Sequence, residues 1–251
     1  MCTLTIYSGK KRCVVTMNRD ELHARKEAGV LYSRSSNASR LFYPVDLSSG
    51  GTWFGANNKG VILCLLNRYQ APEIINPKSR GTIIPQALEQ GGVVAVSVWL
   101  ASLEFSQYNP FDLFLITKKK IIQFSWDGST YKVEEIEVKN WFIFTSSSML
   151  TEEVIAFRQN IFKAWTRELG KKLIDADEVI RGFHLIQTEG LESHSVLMER
   201  EKSHTRSVIQ AELIGKELTL KYMPEILAKS ADAPLNGAHI EKIQIVKSRK
   251  L

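Results

Sequence analysis

The chain has 251 residues, 44% of them hydrophobic, with a formal charge of +6 and three cysteines. Its length and apolar content suffice for one domain over residues 1–251 with a sizeable core, ending in a short basic tail at about 245–251. Its longest apolar stretches, such as Val93–Leu103, fall far short of the roughly 20 residues of a membrane span, which excludes integral membrane association.

No positively charged start leads into an apolar region, so no secretory signal is read. Cys2, Cys13 and Cys64 have no metal-like spacing, and their odd number fits reduced thiols in a cytoplasmic protein better than a disulfide framework. Lys10-Lys11-Arg12 and Lys118-Lys119-Lys120 fall where turns are expected, and read as solvated loop tips and not as a nucleic-acid surface. Nothing in the composition sets an oligomeric state.

At the start, Cys2, Leu4 and Ile6 alternate with Thr3, Thr5 and Tyr7, and Ser8-Gly9-Lys10 turns the chain into a second strand over Arg12–Met17. Gly50-Gly51 introduces Thr52-Trp53-Phe54-Gly55. Asn57-Asn58-Lys59-Gly60, residue types that accept positive φ, turns into the apolar strand Val61–Leu66. Over Thr82–Phe105 the pattern becomes helical, with Pro85 near a start and Gly91-Gly92 dividing two helices. Strands over Phe111–Thr117, Ile121–Trp126, Tyr131–Val138 and Trp141–Thr145 read as an antiparallel meander. A helix is expected over Glu152–Leu169, capped by Thr151, stopped by Gly170 and apolar along Val154, Phe157, Ile161, Trp165 and Leu169. Another is expected over Ala176–Thr188. Alternation returns at Ile209–Leu213, and Ile214-Gly215-Lys216 turns into Leu218–Tyr222. Segregated antiparallel and helical blocks predict an α+β fold, two antiparallel sheets between two helix layers, or a four-layer αββα sandwich.

Cys2 carries the most pointed chemistry. Once Met1 is removed, it holds a thiol and a free α-amine, and the amine, titrating near roughly 8, serves as a local base for the thiol. The bland alternative is a small apolar residue at a strand end. Asn18-Arg19-Asp20-Glu21 ends the second strand, and the hairpin returns Arg19 and Asp20 close to Cys2. There a guanidinium favours the thiolate and a carboxylate can orient the amine, although an ion pair capping a strand also explains them. Trp53 and Phe54 either line an acyl pocket or are ordinary core. The histidines, His23, His184, His194, His204 and His239, show no paired ligand spacing, so neither a metal nor another cofactor is expected.

The ordered motifs Met1-Cys2, Asn18-Arg19-Asp20-Glu21, Pro44-Val45-Asp46, Gly50-Gly51-Thr52-Trp53-Phe54-Gly55, Asn58-Lys59-Gly60 and Leu66-Asn67 resemble the NRDE family, also called the transport and Golgi organization protein 2 family. Ser79-Arg80-Gly81 and Thr205-Arg206-Ser207 extend the likeness. The resemblance implies an N-terminal nucleophile hydrolase fold, similar to the choloylglycine and penicillin V acylase group. It implies Cys2 as nucleophile, Arg19 and Asp20 as the groups that hold and activate it, Asn67 as an amide donor to the oxyanion, and Arg206 as a second cation. Where that group has another asparagine, this chain reads Thr145-Ser146-Ser147-Ser148, which puts Ser147 at the position. A hydroxyl there donates one hydrogen bond but lacks the reach of an amide. The implied activity is hydrolysis of a linear amide through a Cys2 thioester. The alternative is a non-catalytic binding or trafficking protein for an amphipathic ligand, haem or lipid, on the same scaffold.

Overall fold

A computed structural model describes residues 2–69, 73–170, 175–226 and 238–246. Strands β1 (Cys2–Ser8) and β2 (Arg12–Leu22) form the expected hairpin, closed by the Gly9 N–H donating to the Arg12 carbonyl at 2.9 Å. Period-two alternation sends Cys2, Leu4, Ile6, Cys13, Val15 and Met17 into one core, while Thr3, Thr5, Thr16 and Asn18 lie buried on the opposite face. Strands β3 (Glu27–Ser35), β4 (Arg40–Asp46), β5 (Phe54–Asn57) and β6 (Ile62–Asn67) follow, then helices α1 (Ile83–Glu89) and α2 (Val93–Ala101). Strands β7 (Phe111–Ile116), β8 (Ile121–Trp126), β9 (Tyr131–Glu135) and β10 (Asn140–Ser146) precede helices α3 (Thr151–Leu169) and α4 (Ala176–Val179). The described chain closes with β11 (Ser203–Ile214), β12 (Glu217–Pro224) and β13 (His239–Gln244).

These strands make two antiparallel sheets. The first runs β10-β1-β2-β11-β12-β13 and the second β3-β4-β5-β6-β7-β8-β9. Their inner faces share one core in which Leu4, Met17, Ile209 and Tyr222 meet Phe54, Ile62, Cys64 and Phe114. Helices α1 and α2 cover the outer face of the second sheet through Ile84, Leu88, Val96 and Leu100. Helix α3, α4 and the turn after it cover the first through Phe162, Trp165, Val179 and Phe183. The result is the αββα sandwich. Among the described residues no helix is long and apolar enough to cross a membrane.

Several expectations are corrected. The strand at Trp141–Thr145 does not continue the meander: β7, β8 and β9 pair in the second sheet, whereas β10 pairs with β1 in the first. The crossing segment is anchored by Ile136 and Val138 against the inter-sheet core. Strands β3, β4 and β13 were not foreseen, because β3 buries little beyond Glu27 and Leu31 and so lacks strict alternation. The helix expected over Ala176–Thr188 stops at Val179 and widens into a π-type turn over Ile180–His184. Thr151 does not cap α3. Leu150 occupies that position, with left-handed φ of 45°, and the Thr151 hydroxyl donates to the Ser147 carbonyl at 3.0 Å. The buried stripe of α3 runs through Val154, Arg158, Phe162 and Trp165, one arginine amid apolar side chains. Of the expected basic tail, residues 247–251 lie outside the described residues, while the Val246 N–H donates to the Asn58 carbonyl at 2.8 Å.

The widened turn seats His184 against the first sheet, with Nε2 2.6 Å from the Thr5 hydroxyl and Nδ1 2.5 Å from Asn18 Oδ1. Burial pushes its pKa down to about 3. An unfolded histidine binds a proton below about 6.5, and this folded one binds it only near 3. The contribution of His184 to folding stability is therefore fully present above pH 6.5 and is lost as pH falls from 6.5 toward 3. Chemical denaturation at a series of pH values should show that loss, and His184→Gln should flatten it while lowering stability at pH 7.

Candidate active site

Cys2 opens β1 at the edge of the inter-sheet core, with Arg19 directly across from it on β2 and Ser146 directly across on β10. It lines a cleft of about 310 Å³ together with Arg19, Asp20, Trp53, Asn67 and Arg80. The cleft wall depends on a close backbone approach: an added Cβ at Gly51 would stand 2.5 Å from the Gly81 carbonyl carbon, and the Thr52 N–H donates to the Gly81 carbonyl at 2.9 Å. No larger side chain fits between the two loops. This gives a steric reason for Gly50-Gly51-Thr52 and Ser79-Arg80-Gly81.

Arg19 is held, not loose. Its Nη1 bonds Glu27 Oε2 at 2.5 Å, its Nη2 pairs with Asp46, and the guanidinium lies 4.0 Å from the Trp53 ring centre. Asp46 is a hub: it also takes Arg25 Nε at 2.7 Å and the N–H groups of Ser48 and Ser49 at 2.9 and 3.1 Å. Two carboxylates on one guanidinium fix its position, and the ring contact adds to that. Glu27 carried no signal in the sequence, whereas Asp46 stood in a family motif without an assigned role.

Asp20 follows Arg19 and, by strand alternation, sends its carboxylate to the other side of the sheet. There Oδ2 accepts from Arg158 Nη1 and Nη2 at 3.2 Å, and Oδ1 accepts from the Thr205 hydroxyl at 2.7 Å. Arg158 also donates to Thr3, Thr145 and the His194 carbonyl at 2.8, 3.2 and 3.1 Å. Both Arg158 and Asp20 side chains are fully buried. Asp20 meets Cys2 through its backbone, whose hydrogen bonding helps to hold the thiol down. The sole sequence signal for Arg158 was an arginine at a helix position four residues after Val154 and four before Phe162.

The remaining expected residues divide. Asn67 ends β6 and lines the cleft, with its amide donating to the Tyr69 hydroxyl at 3.2 Å. Trp53 borders the cleft, and its buried indole N–H has no partner among the described residues. Phe54 is fully buried in the inter-sheet core and does not border the cleft. Ser147 is buried beyond the end of β10, where its hydroxyl donates to the Met149 carbonyl at 2.6 Å and takes Arg200 Nη2 at 3.3 Å. Arg206 is the extra residue of a β-bulge between Thr205 and Ser207, which turns its side chain toward the His23 carbonyl at 3.4 Å and Glu225 at 3.8 Å. The cleft, as lined, holds neither Ser147 nor Arg206.

Burial pushes the Cys2 thiol up to about 11; the charge of the chain's N-terminal ammonium and, less strongly, Arg19 oppose the rise, and the Asp20 charge adds to it. Cys13 and Cys64 are raised as well, chiefly by burial. Among the described residues no group of three or more His, Cys, Asp or Glu side chains is placed to hold a metal ion.

Two antiparallel sheets between helix layers, with the second residue opening an inner strand of the first sheet, define the N-terminal nucleophile hydrolase fold. The chain matches the family described as Transport and Golgi organisation 2 over residues 1–217, and it belongs to that family. Among solved structures it is similar to a Caenorhabditis elegans ortholog of N-acylethanolamine-hydrolyzing acid amidase, with a TM-score of 0.58, 13% identity and coverage of 96% of this chain and 100% of that one. It is also similar to a mutant conjugated bile acid hydrolase from Clostridium perfringens, with a TM-score of 0.50, 11% identity and coverage of 100% and 99%. At such identities the likeness concerns the fold. No curated protein matches the chain.

The Arg158–Asp20 pair yields a stability prediction. Arg158→Met should cost about 3–5 kcal/mol in urea denaturation, because it leaves a buried carboxylate unpaired. Arg158→Met combined with Asp20→Asn should recover part of that loss. A single variant as stable as the wild type would show that water reaches and solvates Asp20.

Proposed function

We propose that the chain is a cysteine amidohydrolase in which Cys2, freed by removal of Met1, attacks a linear carbon–nitrogen amide and forms a thioester. The observation that carries this reading is the position of Cys2: it opens a strand opposite a guanidinium fixed by two carboxylates, in a cleft that also holds the Asn67 amide. The raised thiol fits a resting state in which sulfur keeps its proton until a base is supplied. The α-amine created by processing is that base, one residue's length from the sulfur. Asn67 has two amide hydrogens and gives one to Tyr69, which leaves the second for an oxyanion. Trp53 supplies an apolar wall with one indole donor for the substrate.

A second reading has its own support. A thiol raised to about 11 is unreactive at neutral pH, which suits a binding protein for an amphipathic ligand such as haem or lipid.

The two readings separate on processed and unprocessed protein. With Met1 in place, Cys2 should alkylate with iodoacetamide only as pH approaches about 11. After Met1 removal, the profile should move down by about one unit or more, because the new terminal ammonium belongs to Cys2 itself and its charge favours the thiolate. Cys2→Ser should abolish amide hydrolysis with an unchanged melting temperature. A profile that ignores processing, or a Cys2→Ser variant that still turns over, would leave the binding reading alone.

A further inference from the structure

The family resemblance put the second oxyanion donor at Ser147, but the fold presents a different hydroxyl. Ser146 is the register partner of Cys2 on β10, and both side chains lie on the inner face, as Phe144 and Phe142 do opposite Leu4 and Ile6. Directly opposed residues of an antiparallel pair have Cβ atoms about 4.5–5.5 Å apart. The Ser146 hydroxyl is buried with no hydrogen-bond partner among the described residues, whereas the Ser147 hydroxyl is bonded to the Met149 carbonyl and to Arg200. Ser146 lines not the cleft of Cys2 but a separate cavity of about 220 Å³, and Asn67 lines both that cavity and the cleft. Buried polar groups without partners are uncommon and carry a desolvation penalty unless something else satisfies them.

We propose that Ser146, together with Asn67, donates to the oxyanion formed when Cys2 attacks, an assignment that rests on the hydrolase reading above. Attack forms a C–S bond and moves the carbonyl π pair onto oxygen, where the Ser146 O–H and the Asn67 N–H receive it. Collapse breaks the C–N bond, and the departing nitrogen takes the proton that the Cys2 amine had drawn from the thiol. Water then cleaves the thioester, releasing a carboxylic acid and restoring the thiol. The second cavity lies past Ser146, on the side of Cys2 away from Arg19, and so takes one arm of the substrate.

The test sets acylation of Cys2 by p-nitrophenyl acetate, which passes through an oxyanion, against alkylation by iodoacetamide, which does not. Both are read on the N-terminal peptide by mass spectrometry, with Met1 removal confirmed. Ser146→Ala and Ser146→Gly should slow acylation at least about tenfold, toward the hundredfold typical of a lost oxyanion donor, and leave alkylation within about twofold. Ser148→Ala, exposed in the same loop, should change neither rate. Undiminished acylation in both Ser146 variants, or a loss that falls on Ser147→Ala instead, overturns the assignment while Cys2 remains the nucleophile. A wild-type Cys2 that alkylates but never acylates overturns the hydrolase reading and this assignment with it.

Discussion

The site depends on the ion pair between Arg158 of α3 and Asp20 of β2, buried completely between a helix and the back of the first sheet. Taking both charges out of water is costly, and the pair persists because each nitrogen of the guanidinium has a hydrogen-bond partner. Arg158 reaches Thr3, Thr145 and Asp20, one residue on each of β1, β10 and β2. Those residues are the immediate chain neighbours of Cys2, Ser146 and Arg19. A single side chain therefore fixes the relative height of three strands where they present their inward groups. Thr145 tightens the arrangement by donating to the Cys2 carbonyl at 3.2 Å.

Strand alternation lets one short sequence serve two environments. Along β2, Arg19 faces the inter-sheet cleft and Asp20 faces the helix layer, so opposite charges one residue apart do not neutralise each other. Each finds its own counter-charge: Glu27 and Asp46 for Arg19, Arg158 for Asp20. The cation beside Cys2 is already paired with two carboxylates, which limits how far it lowers the thiol. Burial outweighs it. On the proposed hydrolase reading, reactivity at neutral pH comes from a base and not from the resting field, and Met1 removal would supply that base.

Much of this was legible in the sequence, for identifiable reasons. The β1–β2 hairpin followed from strict alternation around Ser8-Gly9-Lys10, and with it the proximity of Cys2 and Arg19. The paired glycines and the Asn-rich turn gave β5 and β6. The layer order was readable because helical and extended blocks are segregated along the chain. What escaped was non-local. Glu27 sits on an edge strand with few buried positions, and nothing nearby in sequence announces that it will meet Arg19. Arg158 lies off the apolar stripe Val154, Phe157, Ile161, Trp165 and Leu169 read from the sequence, and only the tertiary fold supplies its partners. The bulge at Arg206 cannot be read from residue types alone, yet it decides where that guanidinium points.

The three consecutive serines show how strictly topology controls chemistry. Read as the last strand of a meander, residues 141–145 belong beside β9, and no serine among 146–148 is near Cys2. Once β10 pairs with β1, the register puts Ser146 opposite Cys2, and the period of two sends its neighbours elsewhere: Thr145 to the helix side with Arg158, Ser147 into the turn before α3. A shift of one residue would exchange these faces. The register is held against that shift by Phe142 and Phe144, which must both point into the inter-sheet core against Phe114. Apolar packing at those two positions thus selects which hydroxyl stands beside the thiol.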